Sequence, residues 1–333
     1  MTIQSEHVAT LRPFEPARDF PAVPKLIGEV NADAGVDWFP SQAELEVEWS
    51  PTRTFDPLRD IVLAEDADQV VGLARVSWRE REGIVVHRVE VWVHPDRTRR
   101  GIGTQLRLWG EARARASAID GSGGPSGLPH AFGSMTSQGN PAGMAFAAKG
   151  GYRPIRYHDE MRRDLSLPIP DVPMPAGLEV RPVVPEHYRA IWLADEEAFR
   201  DHWDAAVVSE DDFVQFFAHP SLDPSMWQVA WDGDQVAGLV INAINHEENE
   251  LLGLNVGWLE SVATRRPWRR RGLAGALIAR SLAVLRERGM EIAALGVDTE
   301  NPSGARGLYQ AFGFEPIRTW VFLRKPFDEP TDA

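Results

Sequence analysis

The chain has no cysteine among its 333 residues. That excludes a disulfide framework, a thiolate metal site and a cysteine nucleophile. Lysine is nearly absent as well, with only Lys25, Lys149 and Lys325 beside many arginines, a bias that reads as genome composition more than function. No apolar run approaches membrane-spanning length, and residues 1–14 lack the apolar core of a signal peptide, so a cytoplasmic protein without a membrane segment is expected. Positive charge is in deficit: 35 Lys+Arg against 49 Asp+Glu leave a net charge of −14, which disfavours nucleic acid as a bulk partner and suits a cationic or amine substrate. Zinc-ligand spacing, a Walker pattern and a Gly-x-Ser-x-Gly elbow are all missing, and no metal is expected.

What is present is a repeat. The length favours two domains. Leu11-Arg12-Pro13-Phe14-Glu15-Pro16 returns as Val180-Arg181-Pro182-Val183-Val184-Pro185, and Val71-Gly72-Leu73 returns as Ala237-Gly238-Leu239. Arg99-Arg100-Gly101-Ile102-Gly103 returns as Arg270-Arg271-Gly272-Leu273-Ala274, and Gly151-Tyr152 as Gly313-Phe314. Four matches in one order mean two copies of one domain. Between them, residues 167–175 alternate prolines, which continue neither a helix nor a sheet interior and favour a stiff extended linker. The expected division is a first domain over 1–165, a linker over 166–177 and a second domain over 178–327.

Each copy reads as a mixed α/β (α+β) domain, a central sheet flanked by helices. A short strand near 9–13 or 178–182 precedes helices over 18–31 and 43–49, or 186–199 and 210–218. Strands rich in β-branched residues follow at 61–64, 70–78 and 85–93, or 227–231, 235–243 and 258–264. Asp232-Gly233-Asp234 reads as a tight hairpin turn. Longer helices then run over 103–118 and 273–288. Residues 121–127 read as a flexible surface loop, and residues 246–250 as a solvated loop.

The run Arg269-Arg270-Arg271-Gly272-Leu273-Ala274 lies between the strand at 258–264 and the helix from 273. A helix N-terminus has unpaired N–H groups and partial positive charge. Three arginines add charge-assisted donors, while Gly272 and Ala274 allow close backbone approach. The place is built to grip a phosphate-bearing ligand. Further on come Asn301-Pro302-Ser303-Gly304-Ala305-Arg306-Gly307-Leu308-Tyr309 and Gly313-Phe314. Together these resemble the GNAT acyl-CoA N-acetyltransferases, whose pattern is Arg/Gln-x-x-Gly-x-Gly/Ala after a strand, then Asn-x-x-Ala-x-x-Leu-Tyr and Gly-Phe. The Asn-to-Ala gap is one residue longer here. Through the repeat, the resemblance covers nearly the whole chain, and the two-domain, mycothiol synthase-like members are the branch it is most similar to. In that branch the acidic base stands two strand positions earlier, at the place of Trp258.

The resemblance implies acetyl-CoA as co-substrate and direct attack by a primary amine of a small molecule in a ternary complex. Such a transfer needs a base for the amine, donors for the thioester carbonyl and a proton donor for the leaving thiolate. Glu260, in the strand before the turn, is the candidate base; in a strand it shares a face with Trp258, Val262 and Thr264. Tyr309 matches the family tyrosine that serves the CoA sulfur. The cofactor-binding set would be Val262, Ala263, Thr264, Arg269, Arg270, Arg271, Gly272, Leu273, Ala274, Gly275 and Asn301, although Asn301 reads equally well as a helix cap.

In the first copy, counting back from Val93 and Tyr152 puts Val89 in the place of Glu260 and Ala147 in the place of Tyr309. Neither can move a proton, so this copy is read as a degenerate domain and the second as catalytic. A second CoA site over Val93, Arg99, Arg100, Gly101 and Gly103 stays open beside a scaffolding role. For the acceptor pocket, Asp201, His202, Trp203 and Trp258 suit an amine on an apolar body. A mycothiol synthase-type acceptor, a cysteinyl-sugar amine, is one alternative. A non-catalytic acyl-CoA-binding sensor is another, from a different class. The sequence leaves the oligomeric state open.

Overall fold

The computed structural model describes residues 9–203, 205–301 and 303–327. The chain forms two compact units, the first made of Met1–Ile155, Ser209–His219 and Val321–Ala333, the second of Arg156–Val208 and Pro220–Trp320. These bounds do not follow the repeat: a segment of the second copy and half of its last strand belong to the first unit, while residues 156–165 belong to the second.

The elements run β1 (Thr10–Pro13), α1 (Pro16–Asp19), α2 (Val23–Asp33), α3 (Gln42–Glu48), α4 (Pro57–Asp60), β2 (Ile61–Asp66), β3 (Gln69–Arg81), β4 (Ile84–Val93), α5 (Ile102–Asp120), β5 (His130–Ser137), α6 (Pro141–Lys149) and β6 (Arg153–Asp164). The chain continues through β7 (Glu179–Val180), α7 (Tyr188–Phe199), α8 (Glu210–Ala218), β8 (Gln228–Asp232), β9 (Gln235–Ala243), α9 (His246–Leu252), β10 (Val256–Thr264), α10 (Leu273–Glu287), β11 (Ile292–Asp298), α11 (Ala305–Ala311) and β12 (Glu315–Pro326).

The first unit orders its strands β1-β2-β3-β4-β5-β12, with β1 to β4 antiparallel and β4 parallel to β5 over Val85–Arg88. One face buries Phe14, Ile27, Leu45, Trp49 and Leu73 under α2 and α3; the other buries Val62, Ala64, Val71, Ile102 and Leu106 under α5. The helix expected over 18–31 is two helices. Pro21 and Pro24 cannot sit in a helix interior, so the chain turns and α2 begins with Pro24 in its first turn. Ser41 and Glu44 form a capping box that starts α3. Helix α8 packs in this unit, where Gln215 Nε2 donates to Ser50 Oγ at 3.0 Å.

In the second unit the order is β6-β11-β10-β9-β8-β7. Strands β7 to β10 are antiparallel, β10 runs parallel to β11 over Val256–Trp258, and β11 pairs antiparallel with β6. Leu273, Leu277, Ile278, Leu282 and Leu285 of α10 bury against Val240, Leu259 and Leu295 of the sheet. Gly233 takes φ 56° in the β8–β9 turn. Residues 246–250 are not a loop: Asn245 caps α9, and Asn249 is buried with Nδ2 donating to Val256 O at 2.9 Å. The proline-rich stretch is not a free spacer either, since Ile169, Val172 and Met174 pack on the second unit's core. Among the described residues no helix is long and apolar enough to cross a membrane, and no cluster of His, Asp and Glu is placed to hold a metal.

Candidate active site

Strand β10 carries the candidate base, and it is not regular. Its pairing with β9 matches Leu259 to Asn242 and then Ser261 to Ile241, which leaves Glu260 as the extra residue of a β-bulge. Beyond the bulge the faces exchange. Before it, Gly257 and Leu259 face α10: an added Cβ at Gly257 would lie 2.6 Å from Leu285. After it, Val262 packs on the same core as Leu259, although three positions separate them. Ser261 turns the other way, and its Oγ donates to Asp195 Oδ1 of α7 at 2.5 Å. The expected common face of 258, 260, 262 and 264 therefore does not exist, because period-two alternation fails at a bulge.

The bulge also corrects the count between the copies. In β4, Val93 pairs with Gly72 and Val89 with Val76, without any register shift. In β10, Thr264 pairs with Gly238 and Leu259 with Asn242. Val89 is therefore the counterpart of Leu259, and Glu260 has no counterpart in the first unit.

Glu260 is exposed to solvent, yet the protein around it removes enough water to raise its carboxyl above the ordinary range. The exposure leaves it accessible to a substrate, and the desolvation that favours its neutral form makes it a stronger proton acceptor than an ordinary carboxylate. Asp195 was not singled out from sequence. Burial pushes its carboxyl up to about 6, against the pull of the Ser261 hydroxyl.

Among the described residues, β10 pairs with β11 only from Val256 to Trp258, and beyond that its edge on the β11 side is unpaired. A cavity of about 710 Å³ in this unit brings together Val262, Ala263, Thr264, Arg269, Arg270, Gly272, Leu273, Ala274, Gly275, Asn301 and Tyr309 of the expected set, with Asp201 and His202. Glu260, Arg271, Trp203 and Trp258 do not line it. Sequence reasoning missed Val172, Ala198, Trp268 and Phe312 on its wall; Val172 lies in a stretch that reads only as a linker.

Arg270 and Gly272 adopt the left-handed conformation, with φ 61° and 83°, and α10 then starts without a side-chain cap. Its first N–H groups stay available to an anion. Thr264 Oγ1 is buried on the cavity wall without a hydrogen-bond partner, a donor suited to a polar ligand group. Arg269 is committed to the protein: it donates to Thr264 O at 3.0 Å, Asp201 Oδ2 at 3.0 Å and Ala198 O at 3.1 Å. Asn301 is not the cap of α11, a place held by Gly304; its Oδ1 accepts from Ser303 N at 2.8 Å. Pro302 of the motif lies outside the described residues. Tyr309 is 7 % exposed, and burial raises its phenol to about 12, so it is protonated at any working pH.

The acceptor-pocket reading needs correction at two residues. Asp201 pairs with both Arg266 and Arg269, which hold its carboxyl at about 2. The Trp203 ring is met by the Arg156 guanidinium at 5.4 Å. The protein's own arginines occupy both handles offered to an amine. His202 lines the cavity, and burial lowers its pKa, so it stays neutral.

The first unit repeats the turn: Arg99 takes φ 62°, Gly101 φ 84°, and α5 likewise starts uncapped. There a Cβ on Gly103 would meet the Phe146 ring at 3.4 Å and Val93 at 3.6 Å.

A family model for the acetyltransferase (GNAT) family matches residues 25–121 and 186–314. The mycothiol acetyltransferase of Thermobispora bispora is 28% identical over 265 residues, covering 79% of this chain and 83% of that one. That of Kineococcus radiotolerans is 31% identical over 238 residues, 70% of each chain. Among solved structures, a GCN5-related N-acetyltransferase from Sphaerobacter thermophilus superposes with a TM-score of 0.72 at 27% identity over 98% of either chain. A tandem GNAT protein from the clavulanic acid biosynthesis pathway gives a TM-score of 0.68 at 19% identity, over 97% of this chain and 100% of that one, a likeness of fold.

Proposed function

The chain belongs to the acetyltransferase (GNAT) family, and on that premise we propose that its second unit moves an acetyl group from acetyl-CoA to a primary amine of a small molecule. The observation that carries this reading is the second unit's cavity, where the uncapped start of α10, the Val262–Thr264 strand edge and the Tyr309 phenol meet. The pyrophosphate would lie against the N–H groups of α10, with Arg270 and Arg271 adding charge. The extended pantetheine arm fits the free β10 edge, as an added strand would, and Thr264 Oγ1 is a further donor toward it.

Glu260 would accept the amine proton. A carboxylate cannot strip an alkylammonium of pKa near 10 outright, so the amine attacks as its free base, and Glu260 takes the proton that the nitrogen sheds as the C–N bond forms and makes it acidic. Tyr309 would face the leaving sulfur. Full transfer from a phenol at about 12 to a thiolate of pKa ~8.5 is uphill by roughly 5 kcal/mol, so its part is a hydrogen bond to charge developing on sulfur. Because Glu260 must be ionised, kcat rises with pH through its elevated pKa.

A cysteinyl-sugar amine is the second reading of the acceptor, supported by the mycothiol acetyltransferase relatives. The test is CoA release from acetyl-CoA with cysteinyl-glucosamine, an aminoglycoside and a polyamine, on the parent and on Tyr309→Phe. Turnover with one of them is expected, with kcat about 10²-fold lower in the variant and CoA binding intact. No turnover with any amine, or a variant as fast as the parent, would count against the proposal.

A further inference from the structure

We propose that Asp195 is a positioning residue for acyl transfer: by accepting from Ser261 Oγ it pins the β10 bulge and so sets where Glu260 stands. The inference rests on the reading of Glu260 as base.

A bulge is a choice among registers. Without the extra residue, Glu260 would enter the ladder opposite Ile241, and Ser261 would rotate into the apolar core beneath α10. Residues 262–264, which line the cavity, would shift by one against β9 and exchange faces. Backbone pairing alone does not select the bulged form, since β9 offers hydrogen bonds in either register. The Ser261–Asp195 bond does: it spans from strand to helix at 2.5 Å, involves the residue directly after the bulge, and can form only with Ser261 on the α7 face.

Stability gives no reason for this pair. Among the described residues Ser261 is the one hydrogen-bond partner of Asp195, and no arginine, lysine or histidine pairs with it. A largely desolvated carboxylate with a single hydroxyl partner is costly, and an apolar side chain of similar size would be cheaper. The first unit gives the converse. There β4 has no bulge, and the residue equivalent to Ser261 is Glu90, which pairs with Arg75 and Arg88 on strands of its own sheet. The strand without a bulge also lacks a pin.

The experiment compares Asp195→Leu, Asp195→Asn, Ser261→Ala, Ser261→Thr and Glu260→Gln in the full chain. Rates are read with the amine of highest kcat/KM from the panel above, and with water alone as acceptor. Asp195→Leu and Ser261→Ala should lower kcat about 10²-fold through a displaced base, with KM for acetyl-CoA little changed. Asp195→Asn and Ser261→Thr keep the acceptor and the hydroxyl, and should stay near the parent. The melting temperature of Asp195→Leu should hold or rise, an outcome a packing role would not produce. A parent-like kcat in Asp195→Leu beside a crippled Glu260→Gln would overturn the inference. So would an Asp195→Asn as slow as Asp195→Leu, since charge and not the pin would then matter. A silent Glu260→Gln removes the base reading, and this inference with it.

Discussion

The two units carry the same turn behind different strands. Arg99 and Gly101 match Arg270 and Gly272 in φ to within a degree, and α5 and α10 both begin without a side-chain cap. Strand β4 then runs in unbroken register, while β10 carries one additional residue, Glu260. Where Tyr309 lines a cavity in the second unit, the first has Ala147, and the neighbouring Phe146 ring lies over Gly103. The first unit instead buries a charged cluster: Lys325 of β12 donates to Glu111 of α5 at 2.9 Å, and Arg107 does so at 2.7 Å. Duplication preserved the left-handed turn and the uncapped helix start in both copies. What distinguishes the copies is a one-residue insertion and one phenol, a small change in sequence with a large change in available chemistry.

The sharpest way to break this comparison is to remove the insertion. Deleting Glu260 should give β10 the register of β4 and abolish acetyl transfer, while Glu260→Gln should lower kcat by about 10²- to 10⁴-fold with acetyl-CoA affinity retained. Steady-state kinetics with equilibrium CoA binding checks both. If the deletion variant is as active as the parent, the bulge has no part in the reaction.

A second contrast lies in acid stability. His87 is fully buried in the first unit, and desolvation, then the neighbouring His130 and Arg113, hold its pKa down to about 3. The unfolded chain takes up a proton near 6.5 that the folded unit refuses. This contribution is complete above pH ~6.5 and declines as pH falls toward 3, with about 2 kcal/mol gone by pH 5. In the second unit Asp195 contributes with the opposite sign, its carboxyl at about 6 binding a proton more readily folded than unfolded, while His158 and His202, lowered by burial, act in the same direction as His87. Hydrogen exchange should show protection of β4 and β5 falling more steeply between pH 7 and 5 than that of β10 and α10, and His87→Phe should flatten the loss. Equal decline in both units would remove the contrast.

The smallest expected effect concerns the turns themselves. Replacing Arg270 and Arg271 together by alanine should raise KM for acetyl-CoA about tenfold, the loss of charge-assisted contacts at an exposed site. The same change at Arg99 and Arg100 should leave kinetics near the parent if the first unit is a scaffold. A comparable rise in KM would mean that the first turn also holds the cofactor.

Much of the site was legible because it is local. The turn, the helix behind it, and the Asn301 to Tyr309 motif place most of the named residues on one cavity wall. The bulge was not legible, because reading a strand by alternation assumes the period that a bulge breaks; the count that matched Val89 to Glu260 failed for the same reason. Asp195 was invisible as one acidic residue on an amphipathic helix, and only the strand packed against α7 gives it a role. Asp201 and Trp203 offered attractive chemistry for an amine, but arginines distant in sequence had already taken it.

The sequence by itself determined the duplicated α/β plan, the family and the two glycine-containing turns that open α5 and α10. These follow from residue types at short spacing, where glycine conformational freedom, helix-end electrostatics and hydrophobic periodicity act locally. Tertiary structure alone decided the register of β10, the partner of Asp195, the commitment of Arg269 to Asp201, and the assignment of α8 and the end of β12 to the first unit. Each depends on contacts between segments far apart in the chain, whose strength is set by burial and geometry that no local pattern records.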